Sequence, residues 1–143
     1  MGEDYIDRLR KFQWGEYGVV LAVLFGSRLG GRVVKGDWDL AVWLDDADKA
    51  LDLQYALAKY LHVHEWDVDL VVLNNYEYLP CTLIISALGR GKAVYYRDLG
   101  TYLELRTRLL FPCFDFMLDS EKLELLKTQV KSAMGRWGNR EIT

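Results

Sequence analysis

Tyr5, Ile6, Leu9 and Phe12 recur at helical spacing over residues 3–13, behind an acidic start, and predict a short amphipathic helix. Gly15 and Gly18 punctuate the chain before an unbroken apolar run, Val19 to Phe25, short and Val/Leu-rich enough for a strand buried on both faces. A second apolar run, Leu40 to Leu44, predicts another strand. Ala50, Leu53, Leu57, Tyr60 and Leu61 then share one face of a helix from Ala47 to about Leu61, with Asp45, Asp46 and Asp48 read as caps at its start. Asp67 to Leu73 is a third strand, apolar after its acidic opening. Leu79, Leu83, Ile84, Ala87 and Leu88 predict a helix, with Pro80 at its first position and Gly89 and Gly91 ending it. Lys92 to Tyr96 is a short strand. From Thr101 the pattern is helical, with Tyr102, Leu103, Leu109 and Leu110 ahead of Pro112, which is expected to kink or end a helix. Leu123, Leu126, Val130 and Met134 form a stripe beyond it, suited to intradomain packing or to a partner or second copy, and residues 135–143 read as a frayed tail.

Strands alternating with helices give an α/β (α+β) class. The 143 residues suit one domain, with a core of about 15–98, a helical extension of about 99–134 and the tail. Hydrophobic residues at 51% and charged ones at 27% exclude a disordered chain. A net charge of −3 excludes a general affinity for nucleic acid, so any phosphate-binding surface is local. No apolar run reaches the ~18–20 residues of a membrane span, and the N-terminus lacks a signal-peptide core, so a cytoplasmic location is expected. Cys81 and Cys113, far apart and without metal-type spacing, read as buried thiols in a reducing compartment. His62 and His64, the only histidines, have no third ligand cluster nearby and read as a partly exposed helix end.

Candidate chemistry gathers between Val19 and Leu44. The first apolar run ends in Gly26-Ser27, where a sharp turn brings backbone N–H groups toward a ligand. A glycine-rich loop carrying Arg28, Arg32 and Lys35 follows, the small residues and cations that a triphosphate requires. In an extended strand Asp37 and Asp39 point to one face, about 6–7 Å apart, and Trp38 to the other. Two ionised carboxylates so placed repel unless a divalent cation lies between them. A third strand beside the second would add a carboxylate from Asp69 or Asp67, which share a face.

Gly26-Ser27, then Asp37-Trp38-Asp39 entering an apolar strand, resembles the nucleotidyltransferase superfamily that includes DNA polymerase beta, and most nearly its minimal members. DVDLVVLNN matches the position of the family's third aspartate at Asp69, and the likeness extends from about Val19 to Asp98. It implies a nucleotidyltransferase fold, a short mixed sheet flanked by helices, here with a helical C-terminal segment. It further implies transfer of AMP from ATP, with Asp37, Asp39 and Asp69 as catalytic residues and ligands of two Mg2+ ions, and Gly26, Ser27 and Arg28 as nucleotide-binding residues. The spelling of both motifs is nearer to the antitoxins that pair with small helical toxins of the HEPN type and attach AMP to a tyrosine of that ribonuclease. Transfer to a small molecule or an RNA end, and a catalytically silent module that neutralises its partner by contact, are the alternatives. Two departures bear on nucleotide preference: the loop is one residue shorter than is common, and Gly36 stands where Ser is usual.

Overall fold

The computed structural model of the chain describes residues 2–26 and 37–114. Ser27, Arg28, Arg32, Lys35 and Gly36, the stripe Leu123–Met134 and the tail lie outside the described residues. Four strands, β1 (Val19–Phe25), β2 (Trp38–Leu44), β3 (Val68–Val72) and β4 (Lys92–Tyr96), form one sheet in the order β3-β2-β1-β4. β1 runs antiparallel to both β2 and β4, whereas β2 and β3 are parallel, so the sheet is mixed. Every residue of β1 is buried, as an apolar run without alternation requires of a strand covered on both faces.

Each face of the sheet carries its own core. On one side Leu40, Val42 and Leu44 pack with Leu53 and Leu57 of α2 (Ala50–Leu61) and with Ile6 and Leu9 of α1 (Gly2–Arg10). On the other, Val23, Phe25 and Ala41 pack with Ile84 and Leu88 of the segment after β3 and with Leu105, Leu109 and Leu110 of α4, helical over residues 99–114. The segment after β3 is a four-residue helix, α3 (Cys81–Ile84), continued by a π-helical turn, Ile85–Gly89. Pro80 stands one position earlier than expected, as the extended residue ahead of α3. Asp98 caps α4, its carboxylate accepting from the Thr101 N–H and hydroxyl, both at 2.8 Å.

Other details differ from the sequence reading. Asp46 alone caps the turn Ala47–Lys49 that leads into α2, accepting from the Asp48 N–H; Asp45 pairs with Arg97 across the end of the sheet. Pro112 does not end its helix. Residue 114 is still helical, and Leu109, Leu110 and Cys113 hold that last stretch against the core. The two cysteines are not free thiols: Cys81 and Cys113 are joined as a disulfide, their Cα atoms 5.2 Å apart. Spacing along the chain hid this pairing, because α4 folds back over α3 and brings the two together. Among the described residues no helix is long and apolar enough to cross a membrane.

Candidate active site

β1 ends where β2 and β3 begin, and the acidic residues collect at that end of the sheet. Phe25 stands opposite Asp39 across the antiparallel pair, and Asp39 stands beside Asp69 across the parallel one. Because Ala41 and Val71, each two residues further along, belong to the α3–α4 side, both aspartates emerge on that face. The Asp69 carboxyl is the nearest charged neighbour that strand register gives Asp39. Partial burial first, then the charges of Asp69 and Asp37, raise the Asp39 pKa to about 6.

Asp37 precedes β2, is exposed, and contributes its charge without closing on the pair. Among the described residues no three His, Cys, Asp or Glu side chains are gathered tightly enough to hold an ion. An oxygen-only donor set of carboxylates nevertheless suits a hard divalent cation, and positive charge at this point would relieve the repulsion felt by Asp39.

The turn that follows β1 is shaped around Asp39. Gly26 has φ +81, and a Cβ placed on it would lie 3.1 Å from the Cβ of Asp39 and in collision with that residue's carboxylate oxygen. Gly26→Ala is therefore expected to lower the unfolding free energy by about 1–2 kcal/mol for the left-handed backbone alone. It should also push the Asp39 carboxylate aside. Urea titration checks the first effect; unchanged stability would mean that the turn tolerates a side chain.

Asp67 has a different occupation. It closes the short turn Glu65–Asp67, its carboxylate accepting from the His64 N–H at 3.2 Å, whereas Asp69 is exposed on β3 beside Asp39. Two further side chains went unread in the sequence: Gln54, which donates to the Glu65 and Val68 carbonyls, and Asn74, which bonds both backbone groups of Leu44. An Asn-Asn pair in a sequence points to no more than a turn, and a lone Gln within a helical stretch has no spacing that marks it.

A small mixed sheet, helices on both faces, and an aspartate pair beside a glycine turn at one sheet end define the nucleotidyltransferase class of domain. The chain belongs to that family: residues 9–99 match the model described as Polymerase beta, Nucleotidyltransferase. Among solved structures it is similar to a chain of a toxin–antitoxin with AMP-PNP, with a TM-score of 0.58, 20% identity, and coverage of 91% of this chain and 99% of the other. It is also similar to a chain of the tri-AMPylated Shewanella oneidensis HEPN toxin in complex with MNT antitoxin, with a TM-score of 0.53, 21% identity, and coverage of 90% and 96%. At these identities the likeness is one of fold. No protein of curated function matches the sequence.

Proposed function

We propose that this chain transfers AMP from ATP to a tyrosine hydroxyl of a small helical protein of the HEPN type, and so acts as the antitoxin of that partner. The observation that carries the reading is the Asp39–Asp69 pair, set side by side by strand register over a glycine turn in a chain of the nucleotidyltransferase family. Likeness of fold to antitoxin complexes containing AMP-PNP or an AMPylated toxin supports the choice of donor and acceptor.

In this reading the acceptor oxygen attacks the α-phosphorus, the bond to the β-phosphate oxygen breaks, and pyrophosphate leaves. Asp37, Asp39 and Asp69 would hold magnesium, which when bound neutralises phosphate charge and lowers the pKa of the acceptor hydroxyl. The Asp69 carboxylate, exposed at the mouth of the sheet, receives the hydroxyl proton. Gly26, with Ser27 and Arg28 beyond it, would hold the outer phosphates through backbone N–H groups and the guanidinium. A cytoplasmic setting, which holds ATP and magnesium, fits this reading, and its reducing poise would act on the Cys81–Cys113 bond. The chain is read as a single nucleotidyltransferase domain, with its acceptor supplied by the partner.

The test is the intact mass of the partner after co-expression with wild type or with the Asp37→Asn/Asp39→Asn double variant. One or more added AMP units that require both aspartates are expected. An unmodified partner that is still inhibited would replace this reading with neutralisation by contact.

A further inference from the structure

The reaction proposed above depends on Asp69 standing beside Asp39, and that depends on the register of β3. Among the described residues β3 is an edge strand, with β2 as its one strand neighbour. Four of its five residues, Val68, Leu70, Val71 and Val72, are apolar. Alternation of polar and apolar residues normally pins a register, since a slip of one residue exchanges the two faces. A run apolar on both faces supplies little of that signal. A one-residue slip would set Val68 or Leu70 beside Asp39, and a two-residue slip Asp67 or Val71.

Polar side chains supply what the apolar pattern lacks. The parallel pairs from Trp38↔Val68 to Val42↔Val72 all carry the same offset in residue number. The backbone leaves the sheet at Leu73, entering a turn, yet Asn74 keeps that offset of 30 by pairing with Leu44 through its carboxamide. Its Oδ1 accepts from the Leu44 N–H at 2.9 Å and its Nδ2 donates to the Leu44 carbonyl at 2.8 Å. A carboxamide is the side-chain equivalent of a peptide group, so the ladder continues past the end of the strand. At the other end the Gln54 amide donates to the carbonyls of Glu65, at 3.0 Å, and Val68, at 2.8 Å, holding the entry to β3 against α2.

We infer that Asn74 is a positioning residue for the reaction: its two-bond clasp on Leu44 locks the β2–β3 register that sets Asp69 beside Asp39. It acts from about 16 Å away along β2, judged by the strand rise, and touches neither aspartate. The inference rests on the AMP-transfer reading for its kinetic effect, but not for its structural one.

Asn74→Leu keeps the size of the side chain and removes both hydrogen bonds. Asn74→Asp keeps the acceptor for the Leu44 N–H and sets a carboxylate against the Leu44 carbonyl. The control is Leu61→Ala, which opens the core on the opposite face at the end of α2 and should lower Tm at least as much. Well below every Tm, with ATP, magnesium and the helical partner, Asn74→Leu is expected to lower kcat at least about tenfold. Its KM for ATP should stay within about twofold; Asn74→Asp should fall between Asn74→Leu and wild type, and Leu61→Ala should match wild type. Backbone NMR of the same proteins should show loss of the Leu40–Leu70 cross-strand contact in Asn74→Leu and its retention in Leu61→Ala. Should Asn74→Leu keep its kcat, or lose no more than Leu61→Ala, the clasp has no part in positioning. If the wild type transfers no AMP, the function reading fails instead. NMR then decides the clasp alone: a shifted register supports it and an intact register in Asn74→Leu overturns it.

Discussion

Asp39→Asn is expected to lower AMP transfer by at least about 10^2 to 10^3 while making the metal-free protein more stable at neutral pH. The substitution removes one charge at nearly constant shape, so loss of rate would report chemistry rather than misfolding. The gain in stability follows from the crowding of carboxyls. With a pKa raised from 3.8 to about 6, Asp39 binds its proton more tightly folded than unfolded. Its contribution to stability is therefore fully present below pH 3.8 and is lost as the pH rises through 6. Asn does not titrate, so the variant escapes that loss. The advantage is on the order of 1 kcal/mol after allowance for solvent screening, a few degrees in Tm. It should shrink as the pH is lowered from 7.5 toward 4. Thermal melts in chelator across that range check it, and an advantage that grows toward acid would mean that the carboxyl pair does not strain the fold.

The second large effect separates two aspartates that the sequence leaves two positions apart. Asp69→Asn is expected to cost transfer several powers of ten, because Asp69 stands beside Asp39 in the parallel register. Asp67→Asn should stay within about threefold of wild-type rate, since its carboxylate closes a local turn on the His64 N–H. Side-by-side rates at saturating ATP and magnesium decide between them. A dead Asp67→Asn beside an active Asp69→Asn would shift the functional register of β3 by two residues.

Much of the architecture was legible because short-range patterns coincide with burial here. Val19–Phe25 reads as a doubly covered strand and is one; the periodicity of Leu53, Leu57 and Leu61 marks the buried side of α2. The candidate site was legible as residue types: a glycine at a strand end, and aspartates at the openings of two apolar runs. What sequence could not supply was the pairing of distant partners. Along β2 and β3 the amides of Gln54 and Asn74 hold backbone groups, yet they look like ordinary solvent-facing side chains until the strands are aligned. Asp45 sits among acids that suit a helix start, and only the return of β4 brings Arg97 to it. Pro112 would stop an isolated helix, whereas packing of Leu109, Leu110 and Cys113 carries α4 past it.

The bond between Cys81 and Cys113, 32 residues apart, makes a ring of α3, β4 and the greater part of α4. A protease that cuts once inside the ring releases nothing while the bond is closed. In denaturant without reductant the nicked protein would migrate as one species; with reductant it would part into two, so the two lanes of one gel report which chains were oxidised before the cut.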